Sequence, residues 1–450
     1  MVSLPAWYRT PMTQVVLVGI VCFATVGMFS AVSNLGAGGL SDVALSDTAN
    51  GVLYGCFTLT GFVAGGINNV LGPRLTLFLG SLGYALYVGA LWCYQTQKSA
   101  WFLIFAGAIL GISAALLWAA QGAIMMSYPL KGIRARPSFG ALIGSVIALA
   151  INLRQGGLSA VSTSTYIAFL AIIFLGVACT WLLLPPNMIV RGDGSVVQVQ
   201  SASNPKQEVT NFLNLLKDWR MLALLPMSFA SNYFYAYQGA VNAFYFDSTT
   251  RALNATLEGA GAIVGALFVG FFVLDGSLLK ITRRTRGILG LTFVAMIVIA
   301  VWSCSLAWQI TFTRKSHHIR MNYKDSGYAS KAALFFFYYF GDASYQALAY
   351  WIMGAISNDP FTLARFAGFY KAIQSAGGAG SFGMDAVATP FLNEHLASWL
   401  LMLAGFPGAL AVIRAVKETT YDVEGVVYAD DLNKDPVVAN GVESPSLEKV

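Results

Sequence analysis

A run of about twenty consecutive apolar residues, placed in hydrocarbon, can satisfy its backbone only by coiling into a helix. This chain presents such runs one after another, at 15–32, 51–67, 75–92, 102–125, 139–153, 166–184, 222–246, 257–274, 288–307, 332–356, 366–389 and 396–416. The reading is an all-α polytopic membrane protein of about twelve spans. Composition agrees: of 450 residues 56% are hydrophobic and only 11% charged, where a soluble domain needs about a quarter charged. The first run follows Arg9 and reads as a retained span, because it is long and lacks a clear cleavage site. The fifth run is short, about 22 Å as a helix against a layer of roughly 30 Å.

The net charge of +6 does not point to nucleic acid, because Lys and Arg gather at the ends of the apolar runs, where membrane orientation needs them. With the N-terminus inside, the cytosolic segments hold Arg9, Arg74, Lys131, Arg134, Arg136, Arg191, Lys206, Lys217, Arg220, Lys280, Arg283, Arg284, Arg286, Arg365, Arg414, Lys417, Lys434 and Lys449. Against this stand Arg314, Lys315, Arg320, Lys324 and Lys331, which share the outer loop 311–331. An even number of spans puts both termini in the cytosol. The polar stretch 185–220 is then a cytosolic linker between a six-helix half, 1–184, and a second, 221–416. The tail 417–450 is acidic and expected to be disordered.

Cys22, Cys56, Cys93, Cys179 and Cys304 show no C-x-x-C spacing, and His317 and His318 with a lone His395 read as solvated loop residues. The sequence G-x-x-x-x-G-K-[ST] is absent, which argues against an ATP-driven pump. Neither an enzyme, a metal nor a cofactor is expected.

Six spans, a linker and six more is the plan of the major facilitator superfamily. The loop after the second run, Gly65-Gly-Ile-Asn-Asn-Val-Leu-Gly72-Pro-Arg74, resembles that superfamily's loop motif, with Asn69 where the motif has an acid. The loop after the eighth run, with Asp275, Arg283, Arg284 and Arg286, echoes it. Most of the chain is similar to the Unc-93-like branch, in Leu35-Gly-Ala-Gly-Gly39, Leu71-Gly-Pro-Arg74, Trp118-Ala-Ala-Gln-Gly122, Tyr233-Phe-Tyr-Ala-Tyr-Gln238, Arg251-Ala-Leu-Asn254, Tyr350-Trp-Ile-Met-Gly354 and Phe366-Ala-Gly-Phe-Tyr-Lys-Ala-Ile-Gln-Ser-Ala-Gly377. Tyr345 departs from that family's usual tryptophan. The stretch 129–141 departs further, and relatives carry additional residues there. The expectation is a defective fifth helix in a chain that derives from a truncated gene model or an altered splice form.

The resemblance implies that runs one, four, seven and ten line a central cavity. On the seventh, Tyr235, Gln238 and Asn242 fall within about 60° of one another, and Asn232 widens the stripe to about 120°. Trp118 and Gln121 share a face of the fourth run, Asp342 and Gln346 a face of the tenth. Two readings fit these residues: cavity lining, or interhelical hydrogen bonds of about 1 kcal/mol each.

Charged groups within the layer weigh more, since burying one costs roughly 3 kcal/mol. Asp342, about 21 Å from the inner end of its run, is the leading coupling carboxylate, because an acid at that depth calls for a partner or a proton. Lys371 reads as ~8 Å deep, too shallow to pair with Asp342, and is expected to snorkel to the cytosol. Glu258 reads as an interfacial carboxylate one turn into the eighth run, with coupling as its second reading. The small residues Ala376-Gly-Gly-Ala-Gly380 favour a tight helix crossing. Asn254-Ala-Thr256 fits a glycosylation acceptor, too close to the membrane for use. The expected function is ion- or proton-coupled transport of a small solute by alternating access. The rival is a non-transporting regulator of an ion channel or a trafficking chaperone, partnered with another membrane protein as well as the lipid bilayer.

Overall fold

The computed structural model describes residues 5–33, 43–128, 163–190, 205–274, 281–316, 319–357 and 360–417. The short fifth run, Asp275, His317, His318 and the tail from 418 lie outside them. Among the described residues nearly all regular structure is helical, and seven helices are long and apolar enough to cross a membrane. The protein is an integral, multi-pass membrane protein.

In the first half, α1 (Pro11–Cys22) continues through a π-helical turn, Phe23–Gly27, into Met28–Ser33. Then come α2 (Val43–Leu71), α3 (Pro73–Gln97), α4 (Ala100–Ser127) and α5 (Thr163–Cys179). Local chemistry sets the boundaries. Thr10 caps α1 by accepting from the Thr13 N–H (3.4 Å), with Pro11 at the first helical position. Gly72 separates α2 from α3 at φ +80°, a left-handed value that disfavours any side chain, and Pro73 restarts the helix.

The linker supplies α6 (Pro205–Leu215). The second half follows with α7 (Trp219–Ala223), α8 (Leu225–Ala230), α9 (Phe234–Tyr245), α10 (Ser248–Phe268) extended by a π-helical stretch Val269–Leu274, α11 (Arg283–Gln309), α12 (Tyr328–Ile356), α13 (Pro360–Ala386) and α14 (Phe391–Arg414). The seventh run is therefore not the single helix expected. It breaks at residues 231–233, where the Tyr235 N–H bonds to Asn232 O (3.4 Å) instead of continuing the ladder to Ser231 O.

Two apolar cores result. One packs Val18, Val21, Phe57, Tyr84, Leu117, Phe169 and Ile173; the other packs Phe234, Tyr237, Val298, Trp302, Phe335, Leu348, Ile352 and Met402. Outward, Leu59, Val63, Phe105, Phe174, Leu175, Phe272, Met296 and Leu400 are exposed, an apolar surface that only lipid solvates without cost. The halves meet where α2 lies along α13. A Cβ at Gly61 would fall 2.8 Å from Ala372 Cβ, and one at Gly65 would fall 2.5 Å from Ala364 O, so this crossing needs glycine.

One end of the bundle collects the linker and the described chain ends. Arg9 bonds Met188 O through Nε (2.9 Å), Val190 N–H bonds Arg9 O (3.0 Å), and an Arg284 guanidinium nitrogen reaches Val416 O (3.5 Å). We call this the linker end.

Candidate functional site

Asp342 sits at the midpoint of α12, about 21 Å from either end, and is 1% exposed. Gln238 of α9 donates through Nε2 to its Oδ2 (3.1 Å). The second carboxylate oxygen, Oδ1, and the Gln238 Oε1 are buried with no hydrogen-bond partner among the described residues. One turn along α12, Gln346 Nε2 donates to Ser231 O and to the Tyr235 hydroxyl, both at 3.3 Å. The break in the seventh helix makes this possible, since it releases the Ser231 carbonyl. The Tyr235 ring lies 5.8 Å from that of Tyr339, which stands beside Glu258. Glu258 is buried, ten residues into a helix that begins at Ser248, or about 15 Å deep. It is not the interfacial carboxylate that its run suggested. Two buried acids, on α10 and α12, thus lie near the broken helix, Asp342 held by Gln238 and Glu258 beside Tyr339.

Lys371 also corrects its reading. Its helix starts at Pro360, which places it about 16 Å in rather than ~8 Å, and it is 6% exposed. Instead of reaching the surface, Nζ lies 4.4 Å from the Trp118 ring centre, with Tyr350 at 5.7 Å and Tyr370 at 5.6 Å. It donates to Gln374 Oε1 (2.7 Å), and Gln374 Nε2 donates to the Tyr370 hydroxyl (3.3 Å). Trp118 comes from the first half and the other groups from the second, so this contact crosses the seam. No Asp342–Lys371 ion pair exists among the described residues; those present are Arg220–Asp218, Arg314–Asp385, Arg314–Glu394 and Arg365–Glu208.

The predicted stripe divides. Gln238 and Tyr235 join the ladder on α12, while Asn232 lies in the helix break and is half-buried. Asn242 goes elsewhere: its Oδ1 accepts from Asn254 Nδ2 (2.8 Å), and Asn254 Oδ1 accepts from the Tyr328 hydroxyl (2.8 Å). That is a tie between α9, α10 and the start of α12, and it leaves Asn254 fully buried. Gln121 is half-buried beside the seam with its Oε1 unpartnered among the described residues. His395 is no loop residue. It is buried in α14 among Trp302, Tyr237 and Trp399, at 5.0, 5.3 and 6.0 Å between ring centres.

At the linker end the motif residues have specific partners. Asn69 Nδ2 donates to Glu208 Oε2 (3.1 Å) and to Phe361 O (3.3 Å). An Arg365 guanidinium nitrogen binds both Glu208 oxygens (3.0 and 3.1 Å). The linker carboxylate therefore supplies the acid that position 69 lacks and ties α2 to α13. Sequence reasoning missed Glu208. Its signal was the motif's own gap, an amide where an acid should face a basic group. Arg74 Nε bonds Leu183 O (2.5 Å), and the corresponding Arg284 bonds Val416 O, each closing the end of its own half. Arg283 bonds Gly354 O at the end of α12 (3.1 Å). Asp275, the remaining motif residue, lies outside the described residues.

The family profile described as "Ion channel regulatory protein UNC-93" matches residues 47–378. The chain is 37% identical over 412 residues to UNC93-like protein 1 of Arabidopsis thaliana, covering 89% of each. It is 36% identical over 450 residues to a UNC93-like protein of Schizosaccharomyces pombe, covering 97% of this chain and 87% of the relative. Among solved structures it resembles the major facilitator transporter FucP in its outward conformation (TM-score 0.61, 14% identity, 90% of this chain and 99% of that one). It also resembles the proton:xylose symporter XylE (TM-score 0.59, 14% identity, 92% and 97%). At such identities the structural likeness speaks for the fold, which is that of the major facilitator superfamily.

Proposed function

The chain belongs to the UNC-93 family and has the major facilitator fold, and from that premise we propose that it moves a small solute across a membrane by alternating access, coupled to protons. The observation that carries this reading is Asp342: an acid at mid-layer, held on one oxygen by Gln238 and bare on the other, beside a helix that is broken. A structural acid would have both oxygens matched, because an unmatched one in hydrocarbon is costly. An acid that must accept and release a proton needs a free oxygen. Gain of that proton weakens the hold on Gln238, so the pairing of α9 with α12 responds to proton loading. Glu258, buried beside Tyr339, is the second carboxylate of the coupling set. Trp118, Gln121, Asn232, Tyr235, Gln238 and Gln346 form the surrounding surface.

In the state described, the linker end is shut by the α2–α13 crossing and by Glu208. Alternation requires this seam to open. We place the linker end, with both termini, on the cytosolic side, since it gathers Arg9, Arg74, Arg283, Arg284 and Arg365. Tags at the two termini and in the linker should share one pattern of protease protection, and a discordant tag overturns that orientation.

The experiment is reconstitution into liposomes with a labelled metabolite panel, with and without an imposed pH gradient. At least one solute should accumulate faster when the gradient is present. The second reading rests on the family description: a channel regulator would move no solute in liposomes yet alter a co-expressed channel's current, and it would tolerate Asp342→Asn.

A further inference from the structure

We propose that Lys371 anchors the anionic group of the carried solute, so that the solute is a small organic anion; this rests on the transport reading above. A buried ammonium needs negative charge nearby, and this one has only partial charge. Its near neighbours are a neutral amide oxygen, Gln374 Oε1, and the faces of Trp118, Tyr350 and Tyr370. Among the described residues no carboxylate lies within ion-pair distance of Nζ. Ring faces and an amide dipole stabilise a cation less than a carboxylate does. The site is therefore under-neutralised, and a ligand's anionic oxygen completes it. Of the three ammonium protons, one is used by Gln374, which leaves two for that oxygen.

The surroundings suit the rest of such a molecule. The Tyr350 hydroxyl has no partner among the described residues and can donate to a second carboxylate oxygen. Trp118, Gln121 and Tyr350 are half-buried at the seam, with the Tyr350 hydroxyl and Gln121 Oε1 covered in this state, so a solute meets them when the seam opens. The three rings that face Lys371 form walls for an apolar or planar body. Position matters as much as chemistry: Trp118 belongs to one half and Lys371 to the other. An anion held here touches both halves, and its affinity changes as they move, which is the differential contact that alternation requires. A cationic solute would meet like charge at this point.

The test uses the purified full-length protein and two matched pairs of probes, benzoate against benzamide and hexanoate against hexanamide. Titration calorimetry should show saturable binding of the carboxylates and none of the amides. Lys371→Met should weaken carboxylate binding about tenfold or more, and Lys371→Arg should retain it. Because Lys371→Met removes a buried charge, it should melt no lower than the parent, which separates a lost ligand contact from a damaged fold. Equal binding of acids and amides by the parent, or undiminished carboxylate binding by Lys371→Met, overturns the inference, and the first of these needs no variant. Counterflow of labelled benzoate in liposomes distinguishes the two proposals. Binding without flux keeps the anion site and removes the transport reading. Flux confined to uncharged or cationic solutes and indifferent to Lys371→Met keeps transport and removes the anion site.

Discussion

The two halves of the bundle share a plan and differ in what they bury. Among the described residues, the first half buries apolar side chains with a few neutral polar ones, Gln14, Asn68, Ser81 and Ser113 among them, and no ionisable Asp, Glu, Lys, Arg or His. The second half buries Glu258, Asp342, Lys371, Glu394 and His395. Each ionisable group in the layer costs several kcal/mol unless matched, so the asymmetry is a large energetic statement. If the protein works by alternating access as proposed, its chemistry is not distributed evenly between the halves. On the reading proposed above, one half would carry the groups that titrate and bind, and the other would supply the facing surface, Trp118 and Gln121. The echo of Arg74 in Arg284 marks a common plan at the linker end, while the interiors have taken different roles.

The largest effect should come from neutralising the second half at its centre. Asp342→Asn keeps the size and the Gln238 contact but removes the titration, and gradient-driven flux should fall about a hundredfold with expression intact. Gln121→Ala, the nearest comparable change in the first half, should cost only a few-fold. Initial rates of acid-pulse uptake in liposomes measure both. If Gln121→Ala proves as damaging as Asp342→Asn, the proposed division of labour is gone. Flux unchanged in Asp342→Asn across a range of pH would return that residue to a structural hydrogen bond.

A smaller effect is expected where the halves are tied. Glu208 and Arg365 are 6% and 12% exposed at the side chain, and removing one partner of so buried a pair costs on the order of 3 kcal/mol. Part of that is recovered if the seam opens to water, so Glu208→Gln should shift the population toward an open linker end by about tenfold. A cysteine introduced at Ala364, opposite Gly65, reports this through its rate of labelling by an impermeant maleimide. Asn69→Asp placed in the Glu208→Gln background should restore closure, because the carboxylate then comes from α2 itself. No restoration would mean that Glu208 acts through the linker's own folding and not as the missing acid of the motif.

The spans were legible because a membrane imposes a length and a polarity on every helix that crosses it, and those survive in one dimension. Depth within a span was legible only partly. Hydropathy marks where apolar residues begin, whereas helices begin earlier, at their caps: α10 starts at Ser248 behind the cap Asp247, nine residues before its apolar run, and α13 starts at Pro360 rather than 366. Glu258 and Lys371 were read as shallow for that reason alone. The break after Ala230 was hidden because Ser-Asn-Tyr is tolerable within a helix, and only the tertiary partner Gln346 rewards leaving it. The amide at position 69 signalled a missing acid but not which one, because Glu208 stands far in sequence from its partners at positions 69 and 365.

The smallest expected effect tests whether the polar groups of the second half can be divided into site and scaffold. Asn242 shares a sequence stripe with Gln238, yet its oxygen is taken by Asn254, which is held in turn by Tyr328. Deleting Asn254 as Asn254→Ala would leave the Asn242 oxygen and the Tyr328 hydroxyl without these partners. Interhelical hydrogen bonds in membranes are worth about 0.6 kcal/mol on average, rising to about 2 kcal/mol in the strongest cases. With two bonds lost, the expected destabilisation is about 1 kcal/mol, a fall of about one degree in melting temperature for a protein of this size. Asn242→Ala should cost less, because Asn254 keeps Tyr328. Neither variant should alter the pH dependence of flux, since the tie is made at the end of the bundle opposite the linker, about four turns along α12 from Asp342. Thermal melting of purified protein and the pH profile of uptake, measured on the same preparations, separate the two roles. A flux defect in Asn254→Ala with unchanged melting would place Asn242 inside the site after all, and the polar face of the seventh helix would then act as one unit along its whole length.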